Sequence, residues 1–168
     1  MILTSVKPDH PILKQITEAF DFKQPPVDPS GLAIDLYETL MSSSYIGLSA
    51  PQVGLPHRAF ALRTQPGIVC FNPKVVDVST EEVVLDEVDF TFPHLAFPVK
   101  RPKKIKVRYA EPNGVVKTVV FDGMTARYFL QQLDHLDGIL YTQKANKIHL
   151  DRAMRKKKQL ERQAKVKG

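Results

Sequence analysis

Between Leu130 and Gly138 the chain reads Leu-Gln-Gln-Leu-Asp-His-Leu-Asp-Gly. Gln131 and His135 are four apart and Gln132 and His135 three apart, so on a helix all three share one face. Phe129, Leu133 and Leu136 fall on a different, apolar face. A polar trio on the inner side of a helix needs partners or water. Two further segments carry chemistry. Gly47-Leu48-Ser49-Ala50-Pro51-Gln52-Val53-Gly54 is rich in small residues, which lets backbone come close to another group. Asp86 to Pro93 places Asp89 just before Phe90-Thr91-Phe92.

The elements that must position these residues follow from periodicity. Ile12, Ile16 and Phe20, four apart, predict a short helix over 8–20. A Pro-bearing linker spans 21–29. Ser30 is placed to cap a second helix with the stripe Leu32, Leu36 and Leu40, which ends at Ser42-Ser43-Ser44. Strands are predicted over 59–63, 68–72, 74–78 and 82–85. Lys104–Tyr109 and Val116–Phe121 alternate polar and apolar residues, and Glu111-Pro112-Asn113-Gly114 between them marks a hairpin. Asp122 is placed to cap the helix carrying the polar trio, and Gly138 to end it. A short strand at 139–141 and a basic helix follow; the thin stripe Ile148, Met154 and Leu160 predicts fraying at its end. The order of helix, strands and helix predicts an α+β fold with antiparallel sheet.

The chain has 168 residues and a net charge of +6. Residues 147–168 hold nine basic and two acidic side chains, a net +7, so the first 146 residues sum to −1. Two units are therefore expected, a near-neutral domain over 1–146 and a basic tail over 147–168, and any polyanion affinity belongs to the tail. The single Cys70 cannot form an internal disulfide, and its apolar neighbours Ile68, Val69 and Phe71 mark it as a core residue. No run of apolar residues is long enough to span a membrane, and Met1 to Lys7 lacks the layout of a signal peptide. A cytoplasmic location without membrane partners is expected.

The three segments, in this order and spacing, resemble the three motifs of the peptide deformylases, which remove the formyl group from the N-terminal methionine of nascent chains. The family's first motif is a Gly-x-Gly-x-Ala-Ala-x-Gln loop. Gly47, Ala50 and Gln52 match it, while Tyr45 replaces the first Gly and Ser49 the first Ala. The family's helix ends Asp-His-Leu-x-Gly, as Asp134 to Gly138 do here. Ala126-Arg127 and Val99-Lys100-Arg101-Pro102 also fit. The similarity spans roughly residues 8–141. It implies the deformylase fold, with antiparallel sheets around a central motif helix and a basic C-terminal helix.

The resemblance also implies where the chain departs. The family binds a divalent metal through one Cys and two His, with a Glu beside the first His as general base. Asp89 stands at the Cys position, Gln131 at the first His and Gln132 at the Glu; only His135 is kept. Ala96 stands where the family carries a substrate-facing Arg. Asp can bind zinc or iron, but an amide is a poor zinc ligand and takes no proton near neutral pH. General-base catalysis is worth ~10²–10⁴-fold. No cofactor is therefore expected, with an Asp89–His135 hydrogen bond in place of the metal and the amides of Gln131 and Gln132 completing the network. Gln52, at the family's oxyanion position, keeps an amide for a carbonyl oxygen. Gly47, Gln52, Phe90 and His135 are the expected contacts for an extended N-terminal peptide. Among the histidines outside the motifs, His94 is nearest to the centre.

Two functions result. One is a deformylase-like protein that has lost metal-dependent hydrolysis, binds N-terminal peptides or formylated nascent chains, and meets the ribosome or RNA through its basic tail. The other is an active peptide deformylase, or a related amide hydrolase, with iron or zinc held at Asp89, Gln131 and His135.

Overall fold

The computed structural model describes residues 1–168. Helix α1 spans Pro29–Met41, α2 Gly123–Leu136 and α3 Lys147–Lys167. Strands β1 (Gly47–Ser49), β2 (Ala59–Leu62), β3 (Ile68–Val78), β6 (Lys104–Ala110) and β7 (Val116–Asp122) form a five-stranded sheet in the order β1-β2-β3-β6-β7, with antiparallel pairing throughout. β4 (Glu82–Asp89) and β5 (Phe92–Pro102) form a separate antiparallel pair. α2 packs on β1 and β2 of the large sheet and also reaches β5 of the small one. The α+β class and the central motif helix are as expected.

Three apolar clusters hold these layers. α1 inserts Leu32, Leu36 and Leu40 against Leu48, Ala59, Ala61 and Phe71. α2 sets Ala126, Phe129 and Leu136 against Phe60, Cys70, Ile105 and Val107. β5 directs Leu95, Phe97 and Val99 to Tyr141 and to Ala153 of α3. Cys70 is fully buried, and that burial pushes its thiol well above the usual range. No helix is long and apolar enough to cross a membrane.

Several local expectations are corrected. Residues 8–20 form only a 3-10 turn at Pro11–Lys14, followed by extended chain. Thr17 N–H donates to Leu136 O at 2.8 Å, and Phe20 exchanges hydrogen bonds with the Asn72 side chain. These long-range bonds outweigh the helical spacing, and Ile16 is left exposed. The cap of α1 is Asp28, not Ser30: its carboxylate accepts from the N–H groups of Ser30 and Gly31, and Pro29 fills the first helical position. The two strands expected at 68–72 and 74–78 are one, with a register shift at Asn72-Pro73 where Asn72 takes a positive φ of 49°. β5 escapes sequence reading because Pro93, Pro98 and Pro102 break its texture; its prolines are tolerated in a two-stranded ribbon.

The α2 boundaries fall as expected, but the Asp122 side chain makes no capping hydrogen bond. Gly138 ends the helix at φ 71°, and a Cβ there would stand 2.7 Å from Lys14 O. No strand forms at 139–141. Tyr141 instead starts a 3-10 turn, stacks on Phe97 with centroids 4.6 Å apart and donates its hydroxyl to Leu95 O. α3 runs unbroken to Lys167. Ile148, Met154 and Leu160 are exposed, and Leu150 and Ala153 meet the body instead.

His57 packs edge-on to Phe20, and burial lowers its pKa below the ordinary 6.5. The folded state thus favours the neutral ring, and its contribution is present above pH 6.5 and lost as the pH falls through that value and below. Urea unfolding of wild type should show this loss between neutral pH and pH ~5, and His57→Gln should remove that part of the pH dependence.

Candidate active site

The site is built where α2 faces β1 and the β4–β5 turn. Gln131, Gln132 and His135 lie on one buried face of α2, as their spacing required, each no more than 1% exposed. Asp89 ends β4 and is also buried. His135 Nε2 donates to Asp89 Oδ2 at 2.6 Å. Because a carboxylate only accepts, this bond puts the ring hydrogen on Nε2. His135 Nδ1 has no hydrogen-bond partner.

Gln52 comes from the 3-10 turn at Ala50–Val53, directly after β1. Its Oε1 accepts from Ser49 N–H and Oγ at 2.9 and 3.1 Å. Its Nε2 donates to Asp89 Oδ1 at 3.1 Å and to Thr91 Oγ1 at 2.9 Å. The amide expected to be free for a carbonyl is thus engaged inside the protein. Gly47 is a matter of space: a Cβ there would lie 2.7 Å from Gln132 Nε2. Tyr45, at the position of the family's first glycine, packs edge-on to Phe90 with centroids 5.4 Å apart. Burial first, and the charge of Asp89 second, raise the Tyr45 phenol pKa.

The two glutamines do not join the Asp89–His135 pair. Gln131 Nε2 donates to Glu87 Oε1 at 3.2 Å and to Val88 O at 3.0 Å. Gln132 Nε2 donates to Gln131 Oε1 at 3.1 Å, while Gln132 Oε1 has no partner. His94 is exposed, with φ 62°, and makes no bond to the cluster. A surface cavity of about 380 Å³, lined among others by Ile12, Thr17, Phe20 and His57, contains none of the site residues.

Glu87 was not singled out from sequence, yet it holds the site's outer layer. It is fully buried and accepts from Arg101 Nε at 2.6 Å and Nη2 at 2.9 Å, and from Arg127 Nη1 at 2.6 Å. Arg101 also meets Asp134 at 3.0 Å. Burial works against the Arg101 charge, but Glu87 and Asp134 more than offset it and raise its pKa. Two carboxylates and two guanidiniums balance, as buried charges must. The alternation along β4, where Glu87 and Asp89 share one face, was the available signal.

The comparisons agree with the fold and the family. A sequence model of the polypeptide deformylase family matches residues 2–151. A peptide deformylase of Wolbachia pipientis subsp. Culex pipiens is 31% identical, with 94% of each chain covered. The crystal structure of a peptide deformylase from Synechococcus elongatus in complex with actinonin is 28% identical, at TM-score 0.84 over 92% of this chain and 85% of that one. A Legionella pneumophila peptide deformylase shares the fold at TM-score 0.86 with 21% identity, covering 98% of each chain. The chain belongs to the peptide deformylase family.

Membership corrects the expectation of no cofactor. Peptide deformylases are metalloenzymes that need iron or zinc, so membership points to a divalent metal cofactor. The residues present do not fit the family's three-donor centre. No group of three His, Cys, Asp or Glu side chains gathers anywhere in the chain. Asp89 and His135 bond each other, and the Gln131 oxygen is taken by Gln132.

Removing one partner from a buried, hydrogen-bonded charge cluster costs about 3–5 kcal/mol. Glu87→Ala should lower unfolding stability by that order in chemical denaturation, and more than Glu82→Ala on the exposed side of the same strand.

Proposed function

We propose that this chain recognises the formylated N-terminus of an extended peptide in the deformylase cleft, and that it hydrolyses the formyl group far more slowly than a family member carrying the full motif. One observation carries the reading: an amide, Gln132, stands at the general-base position. An amide takes no proton near neutral pH, so the ~10²–10⁴-fold supplied by a base is lost. Gly47, Gln52, Phe90 and His135 are the proposed peptide contacts, with Gln52 as the side-chain donor to a carbonyl oxygen. A second reading, hydrolysis at a family-like rate through an altered site, draws its support from the comparisons, since the matched relatives are peptide deformylases over most of their length.

A rate measurement separates the two. Purified protein, supplied in turn with iron, zinc, nickel and cobalt, is assayed on a formyl-methionyl peptide beside a variant carrying Asp89→Cys, Gln131→His and Gln132→Glu. The proposed reading expects the variant to exceed wild type by ~10² or more. Equal rates, abolished by His135→Ala, would establish the second reading.

The basic tail is proposed to dock on a polyanion such as ribosomal RNA in the cytoplasm. Lys156, Lys158 and Arg162 of α3 are exposed and unpaired, while Ala153 anchors the helix to β5. Changing these three to Glu should leave the fold intact and weaken ribosome cosedimentation, most clearly at low salt. Binding that survives the charge reversal would remove the tail from the reading.

A further inference from the structure

Asp89 holds more than His135. Its Oδ2 takes the imidazole, while its Oδ1 accepts from Thr91 N–H at 2.9 Å and from Gln52 Nε2 at 3.1 Å. A primary amide carries two hydrogens, and Gln52 gives its other one to Thr91 Oγ1. Both donors are therefore used inside the protein. The amide cannot escape by flipping, because Ser49 N–H would then face an NH2 group in place of Oε1.

We propose that Asp89 is a positioning residue that latches the Gln52 amide away from the ligand. The proposal rests on the reading above, in which Gln52 is the carbonyl donor of a peptide site. A ligand carbonyl gains the hydrogen held by Asp89 only by displacing a carboxylate oxygen, the stronger acceptor of the two, while the other hydrogen is held by Thr91 Oγ1. The site thus rests in a closed state whose opening is a hydrogen-bond exchange. The latch does not depend on what Oδ2 binds, because the two oxygens have separate partners. It is a property of the Asp at position 89: a thiol there would be only a weak acceptor for the same amide.

A binding cycle tests this. N-formyl-methionyl-alanine is titrated by calorimetry into wild type, Asp89→Ala, Asp89→Asn and the double variant Asp89→Ala/Gln52→Leu. Asp89→Ala should bind about tenfold tighter than wild type, since a charge-assisted bond exceeds a neutral one by roughly that factor. Asp89→Asn keeps an oxygen that Thr91 N–H pins toward Gln52 but loses the charge, so its affinity should fall between those of wild type and Asp89→Ala. Gln52→Leu should cancel the gain in the Asp89→Ala background. Equal affinities of wild type and Asp89→Ala, or a gain that survives Gln52→Leu, overturn the latch. Side-chain amide exchange of Gln52, followed by NMR, gives a readout without ligand: it should be slow in wild type, faster in Asp89→Asn and fastest in Asp89→Ala. Should no form bind the peptide while exchange follows this pattern, the peptide reading fails and the latch stands. Unchanged exchange overturns the latch by itself.

Discussion

The carboxylate of Glu87 is the point on which the site depends. It sits without solvent between two guanidiniums, one from β5 and one from α2. Through Arg101 and Arg127 it ties the small sheet to the central helix, and through Gln131 it fixes a side chain of the polar trio. A buried carboxylate is tolerated only when its charge is met and its oxygens are satisfied. Both conditions hold here, and they leave β4 little freedom to shift relative to α2. Asp89, two residues on and on the same face, inherits its placement from that clamp.

With position fixed by Glu87, the chemistry of the centre follows from residue type. A carboxylate, an imidazole and three amides are groups that satisfy one another in a dry interior. Asp89 accepts, His135 and Gln52 donate, and Gln131 and Gln132 form their own pair against Glu87 and Val88. Two atoms stay outside this mutual satisfaction, Gln132 Oε1 and His135 Nδ1. The family's scaffold has kept its shape around a centre whose polar groups face inward to each other.

Much of this was legible in the sequence, and the reasons are particular. The shared face of Gln131, Gln132 and His135 depends only on helical spacing, and the Asp89–His135 pair on motif order. The hairpin at Glu111–Gly114 carried a strong turn signal. What stayed hidden was decided by distant contacts. Residues 16–20 leave their helical pattern for bonds to Leu136 and Asn72, over a hundred and about fifty residues away. β5 hides behind three prolines. The engagement of Gln52 could not be read, because its acceptors sit at the end of β4 and on the turn that follows, whose geometry no local pattern encodes. The tail's apolar stripe misled, since the small Ala153 packs more closely than the larger residues beside it.

The geometry of that tail bears on how the chain's charge is shared. Residues 158–167 are all exposed, a length of about 15 Å in a helix. At physiological ionic strength electrostatic influence fades over about 8 Å. The far end of α3 therefore lies beyond electrical earshot of the helix's own anchor on β5. Substitutions there can retune what the surface attracts without altering the electrostatic balance around Glu87, so tail and body are free to drift in charge independently.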